Sequence, residues 1–284
     1  MRVIGTDPVG KQIKDGGRSV IVRGGALGDC VLTLPLAHEL LKLGPVSMLT
    51  REAYFPILES LSGRLSLHAL DTAGTATLFS TDPSPEWRDV FQDATIYDYM
   101  PGDDGIFHAN LIRLGASKRI AIPSRPNRPP HAAIQALAGA GIPGSSDLHR
   151  ISLLRHKRGK AGKAAWIHPG SGSPTKNTPV GRLREIYQQL PGTPSIVASF
   201  GEADLALIPA FKEAFEGTDF EIRQPTSIGQ LLEQLSREAA TFLGNDSGPG
   251  HLASALGIPS TIVFHDTDPA IWMPLGSDVQ ALRE

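Results

Sequence analysis

The chain has 284 residues, which suits two domains of ~140 residues each better than one minimal domain. Its 27 Lys+Arg against 29 Asp+Glu leave a formal net charge of -2, which argues against a protein built mainly to neutralise nucleic-acid phosphates. Hydrophobic residues at 40% exclude global disorder, and the lone Cys30 excludes an internal disulfide or a cysteine-based zinc site, as fits a reducing cytosol. The opening MRVIGTDPVGKQIKDGG has no apolar core. No window approaches the ~18 apolar residues of a membrane span.

In chain order, Ser19–Arg23 reads as a buried strand, Gly24–Gly28 as a loop, and Asp29–Leu43 as a helix closed by Gly44-Pro45. A strand at Val46–Thr50, a helix near Tyr54–Leu61, strands near Leu65–Ala69, Ala94–Tyr97 and Arg119–Ile122, and a helix at His131–Ala140 follow. Residues 70–90 and 98–110 show no clear period. The boundary between domains 1–150 and 151–284 is expected in the polar, basic segment Ser145–Lys163, read as a solvated linker rather than a binding patch. Beyond it, strands are expected at Ala164–His168, Ser195–Ala198, Glu221–Arg223, Ala240–Leu243 and Thr261–Phe264. A helix from Pro179, with Thr178 as N-cap, places Val180, Leu183, Ile186, Tyr187 and Leu190 on one face. Another, Ile228–Glu238, is capped by Thr226 or Ser227. This alternation predicts an α/β fold with parallel, doubly wound sheets.

In such sheets ligands sit at the carboxyl ends of strands. Three loops there are rich in small or polar residues. The first, Arg23 to Pro35, lacks the G-x-G-x-x-G fingerprint, which disfavours a nicotinamide cofactor. Its Gly25 and Gly28 permit close backbone approach by a ligand. Asp29 reads either as an acid complementing a helix dipole or as a base able to take a proton from a substrate hydroxyl. The second, Trp166 to Pro179, fails the Walker pattern at two positions. Its small residues, including Gly170 and Ser171, its Lys176 and the helix that follows nevertheless suit a phosphate; the alternative is an ordinary loop with an exposed lysine. The third, Gly244 to Pro259, carries Asp246 and Ser247 as candidate caps, with Gly248 and His251 opening the helix. A lone histidine there is more often a satisfied structural residue than a ligand contact. Gly244-Asn245-Asp246-Ser247-Gly248 is not G-x-S-x-G, so a serine hydrolase is disfavoured.

Together these blocks resemble glycosyltransferase family 9, the group of the lipopolysaccharide heptosyltransferases. The first loop resembles the family's R-x-G-A-L-G-D-x-x-L-T-L-P, the second H-P-G-[SG]-x-x-x-K, and the third D-S-G-x-x-H-L-A-x-A-L-G-x-P. The continuation Phe264 to Pro274 resembles F-G-x-T-D-P-x-x-W-x-P. The likeness covers roughly residues 19–50 and 164–276. It implies a GT-B architecture, two Rossmann-like domains facing a central cleft, with the acceptor on the first and the nucleotide-sugar donor on the second. It further implies inverting, metal-independent transfer of a sugar, heptose being one candidate, to a cell-envelope saccharide that is lipid-linked in one version. No cofactor, metal or nucleic-acid partner is implied.

On this resemblance Asp29 falls on the general-base position and Lys176 on the position that contacts the donor diphosphate. Gly170, Ser171, Asp246, Ser247, Gly248, His251 and Thr267 match the donor loops, and Glu202 or Asp204 is a candidate for the ribose hydroxyls. Asn177-Thr178-Pro179 replaces the usual K-x-W-P continuation, and His265 and Asp266 replace small residues. The stretch after Pro274 is short for the family. These departures keep two alternatives open: a nucleotide-sugar or saccharide-binding protein with impaired transfer, and a GT-B-type nucleotide-sugar epimerase. The expected location is cytoplasmic, with a peripheral position at the inner membrane face if the acceptor is lipid-linked.

Overall fold

The computed structural model describes residues 17–59, 61–100, 105–143, 150–160, 162–192 and 195–284. The N-terminal stretch 1–16 and residues 145–149 and 161 of the basic segment lie outside them. The chain divides into two compact units, Met1–Leu148 and His149–Glu284.

The first unit runs β1 (Ser19–Val22), α1 (Leu27–Leu43), β2 (Val46–Thr50), α2 (Phe55–Leu58), β3 (Leu65–Ala69), α3 (Ala73–Ala76), α4 (Arg88–Phe91), β4 (Thr95–Asp98), α5 (Ile106–Arg113), β5 (Lys118–Ala121) and α6 (Ala132–Gly139). Its sheet has the order β3-β2-β1-β4-β5, every pair parallel. Each residue of β1 is buried, as a central parallel strand covered on both faces requires. Val20, Val22, Leu49 and Ile96 of the sheet pack against Leu78, Trp87, Phe91, Phe107 and Leu111. Each such fully buried side chain stabilises by roughly 1.5–3 kcal/mol. The region 70–90 that showed no period holds α3 and two 3-10 turns, Thr77–Phe79 and Pro85–Trp87, with α4 beginning at Arg88. Pieces this short cannot display a helical repeat, yet they bury Leu78 and Trp87. The helix expected near Tyr54–Leu61 is instead a 3-10 turn, Glu52–Tyr54, running into α2.

The second unit runs β6 (Ala164–His168), α7 (Val180–Gln189), β7 (Ser195–Ser199), α8 (Ile208–Ala214), β8 (Phe220–Arg223), α9 (Ile228–Glu238), β9 (Ala239–Asn245), α10 (Gly248–Ala255), β10 (Ser260–Phe264), α11 (Pro269–Trp272) and β11 (Val279–Arg283). Its sheet order is β11-β10-β9-β6-β7-β8, again parallel throughout, and so has the doubly wound Rossmann arrangement. The edge strand β11 was not foreseen: it is half exposed and short, with weak alternation. Residues 150–160 are not a free linker. Leu154 is buried and its N–H donates to the Ala255 carbonyl, while Arg158 donates to the carbonyls of Gly257 and Ala239. Of the two caps considered for α9, Ser227 is the one used, accepting the Gln230 N–H at 3.1 Å. The expected Thr178 cap is not formed: Pro179 stands at the N-cap of α7, and Thr178 bonds elsewhere. Among the described residues no helix is long and apolar enough to cross a membrane.

Both sheets reverse their winding direction between two neighbouring strands, β1 and β4 in the first unit and β6 and β9 in the second. At such a switch point the connections leave in opposite directions, opening a crevice at the strands' carboxyl ends. The residues after these four strands are therefore where each unit can receive a ligand.

Candidate functional site

In the first unit the chain leaves β1 through Arg23, Gly24 and Gly25, and α1 begins at Leu27, two residues earlier than the periodicity suggested. Asp29 is thus the third residue of the helix. Its Oδ2 accepts the N–H of the N-cap residue Ala26 at 2.9 Å, and its Oδ1 lies 2.6 Å from the Arg23 guanidinium. Arg23 is itself buried, with its guanidinium 4.5 Å from the centre of the Tyr99 ring just beyond β4. These contacts fix the carboxylate's rotamer while leaving its side chain 29% exposed. Gly25 has φ +101°, and a Cβ there would overlap the Asp29 carboxylate, so the turn needs glycine for both reasons. The Tyr54 hydroxyl donates to the Gly25 carbonyl at 3.0 Å, and burial raises its pKa, keeping it a donor. Gly28 lies within the first turn of α1. Beside Asp29, burial pushes the Cys30 thiol up to about 12, so it is a packing residue and not a nucleophile.

The second unit gathers most of the remaining candidates. Asp246, just after β9, places Oδ2 at 2.6 Å from the Thr267 hydroxyl and 3.3 Å from Lys176 Nζ, and Oδ1 at 3.5 Å from His251 Nε2. Burial alone would raise its pKa. The hydrogen bond and charge of His251, the Thr267 hydroxyl and the Lys176 ammonium outweigh burial and hold it at about 2. Lys176 closes the 3-10 turn Pro174–Lys176, and its ammonium carries two further N–H donors beyond the one facing Asp246. Ser247 occupies the N-cap of α10, but among the described residues its buried hydroxyl bonds neither the helix nor any other group. His251 Nδ1 is likewise buried without a partner. Gly248 begins the helix and Pro249, which has no N–H, follows it, so the first-turn amides that accompany Ser247 at this end are those of Gly248 and Gly250.

Gly170 is buried, and a Cβ on it would overlap the Asp204 carboxylate. Asp204 lies 3.5 Å from His168 Nε2, and burial lowers the pKa of that imidazole, which stays neutral. The Ser199 hydroxyl accepts the Trp166 indole N–H at 2.8 Å and stands 2.9 Å from His168 Nδ1. Ser171 Oγ is 2.7 Å from both the Ser173 carbonyl and Asn177 Oδ1, which folds the loop upon itself. Glu202 is exposed on the 3-10 turn Glu202–Leu207, whereas Asp204 on the same turn is buried against His168. Among the described residues no group of three or more His, Cys, Asp or Glu side chains could hold a metal ion.

Three participants escaped the sequence reading: Arg23, which looked like the polar end of a strand; Tyr54; and Asn245, fully buried at the end of β9. Only Asn245 left a local sign, an amide where a central strand should be apolar.

The profile of glycosyltransferase family 9 (heptosyltransferase) matches residues 145–284. Among curated proteins none matches the chain by sequence. Among solved structures, the glycosyl transferase family 9 protein from Veillonella parvula DSM 2008 superposes with TM-score 0.70 at 17% identity, over 95% of this chain and 88% of that one. The E. coli heptosyltransferase WaaC with ADP gives 0.66 at 18%, over 94% and 93%. The iron-containing dodecameric glycosyltransferase TibC from enterotoxigenic E. coli gives 0.52 at 15%, over 96% of this chain and 64% of that one. The expected α/β fold of two Rossmann-like units is thus the fold of GT-B heptosyltransferases. Residues 145–284, essentially the second unit, thus carry the pattern of glycosyltransferase family 9, whose class of activity is glycosyl transfer.

Proposed function

We propose that the chain transfers a sugar from a nucleoside diphosphate-sugar to a saccharide acceptor of the cell envelope, with inversion and without a bound metal. The observation that carries the reading is the end of α10. A buried, partnerless Ser247 hydroxyl and free helix amides sit beside an Asp246 ion-paired to a lysine with donors to spare. Such a cluster of hydrogen-bond donors suits a diphosphate. The ADP bound by WaaC is of the same chemical class. Heptose is the leading candidate sugar, because the family's profile carries that description.

In the reaction so read, an acceptor hydroxyl gives its proton to the Asp29 carboxylate as its oxygen attacks the anomeric carbon. The bond from that carbon to the β-phosphate oxygen breaks on the opposite face, and its electron pair stays with the departing nucleoside diphosphate. Lys176, the α10 amides and the Ser247 hydroxyl meet the negative charge that develops there. Arg23 and the Ala26 N–H hold the Asp29 carboxylate in one rotamer. Asp246 orients Lys176, His251 and Thr267 rather than touching the phosphates itself. Release of ADP from ADP-heptose, dependent on added acceptor and unaffected by a metal chelator, tests the reading. ADP-heptose binding with no turnover over a broad acceptor panel would favour a binding protein instead.

A further inference from the structure

We propose that Asn245 is a positioning residue that, through Thr178, sets Lys176 against Asp246 for the diphosphate; the inference rests on the donor reading above. Asn245 is fully buried at the carboxyl end of β9. Its Nδ2 donates to the Pro169 carbonyl at 2.7 Å. Its Oδ1 accepts the Thr178 N–H at 2.9 Å and the Thr178 hydroxyl at 2.6 Å. A carbonyl can only accept and an amide N–H can only donate, so the side-chain amide has one possible orientation. The Thr178 hydroxyl gives its hydrogen to Asn245, so it accepts from His265 Nε2 at 3.0 Å. The result is a directed chain, His265 to Thr178 to Asn245 to Pro169, with one proton per link.

The ends of this chain explain its consequence. Asn245 is bonded to Asp246, and Thr178 follows Lys176 by two residues, so the clamp joins the segments that carry the 3.3 Å ion pair. Pro169 precedes the Gly170–Ser171 loop, and His265 precedes Thr267 by two residues. One amide therefore fixes the loops after β6, β9 and β10. It also satisfies the Thr178 N–H at the start of α7, where Pro179 at the N-cap offers no side-chain acceptor. Aspartate would present an oxygen where Pro169 needs a donor, and Ser or Thr could not reach both neighbours, so the site calls for asparagine.

Calorimetric titration with ADP of the full chain tests the proposal, using Thr178→Val, Thr178→Ser, Lys176→Ala and the double variant Thr178→Val/Lys176→Ala. Thr178→Val should weaken ADP binding by about tenfold, and Thr178→Ser, which keeps the hydroxyl, by less than about twofold. In the Lys176→Ala background Thr178→Val should cost under about twofold more, because the clamp acts through the lysine. Unchanged affinity in Thr178→Val, or the same tenfold loss with and without Lys176, would overturn the proposal and leave Asn245 a purely structural amide. Should Thr178→Val not fold, His265→Phe removes the outer link from a half-exposed position, and its expected loss of about threefold must likewise vanish without Lys176. Failure of the wild type to bind any of ADP, GDP, UDP and CDP would instead refute the donor reading; if another of them binds in place of ADP, that diphosphate is titrated into the same variants with the same expected ratios.

Discussion

Asp246 is the group on which the second unit's electrostatics converge, and its charge should be measurable as stability. Replacing it with asparagine keeps the shape and an acceptor for Thr267 but removes the charge that faces Lys176 and His251. A carboxyl held at about 2 instead of 3.8 stabilises the folded state by about 2.5 kcal/mol at neutral pH. The side chain is only 10% exposed, so solvent screening removes little of this. The sign follows from linkage. The folded-state value is depressed, so the stabilisation is complete above the unfolded value near 4 and disappears as pH falls through about 2. Urea denaturation of wild type and Asp246→Asn should be followed in a Trp87→Phe background, leaving Trp166 and Trp272, both in the second unit, as reporters. The expected difference is about 2 kcal/mol at pH 7, shrinking steadily from pH 4 to pH 2. A difference that stays constant across that window, or one below about 0.5 kcal/mol at pH 7, would refute the assignment of Asp246 as a buried, charge-stabilised anion.

Other consequences can be checked separately. Asp29→Asn should lower turnover by about 10²–10⁴-fold while leaving the donor's dissociation constant within about twofold, as read by steady-state kinetics and calorimetry. A turnover near wild type would remove Asp29 from the role of base. Lys176→Ala should weaken ADP by about 10- to 100-fold, since a charge-assisted hydrogen bond is lost. Gly170→Ala drives a methyl group into the Asp204 carboxylate and should cost about 1–3 kcal/mol by the same urea assay, with Asp204→Ala relieving part of the loss.

The central sheet strands were legible because parallel strands covered on both faces need apolar runs: Ser19–Val22 and Ser260–Phe264 are buried at every residue, whereas the half-exposed edge strand β11 was not. Helices α7 and α9 were legible from their apolar faces. Residues 70–90 were not, because their order comes from packing of Leu78 and Trp87 against the sheet and not from a local period. The loops that gather Lys176, Asp246, His251 and Thr267 announced themselves through glycine, proline and charge at strand ends. Their internal wiring did not. Asn245 meets Thr178 across 67 residues of chain, and no local pattern encodes such a bond. Thr178, expected to cap its own helix, lost that role because Asn245 satisfies its N–H and hydroxyl together. The choice between Glu202 and Asp204 was equally invisible: two acids on one turn differ only in that one finds His168.

The central claim, that the second unit holds a nucleoside diphosphate through Lys176 and the end of α10, is tested most directly by ligand-induced stabilisation. ADP, GDP, UDP and CDP, each compared with its monophosphate, should be screened against wild type and Lys176→Ala. At 100 times its dissociation constant a bound diphosphate stabilises by about 2.7 kcal/mol, an upward shift in melting temperature readily resolved. The account predicts that at least one diphosphate stabilises the wild type, that its monophosphate does so far less, and that Lys176→Ala needs at least about tenfold more ligand for the same shift. No stabilisation by any diphosphate, or equal stabilisation of Lys176→Ala, would contradict it.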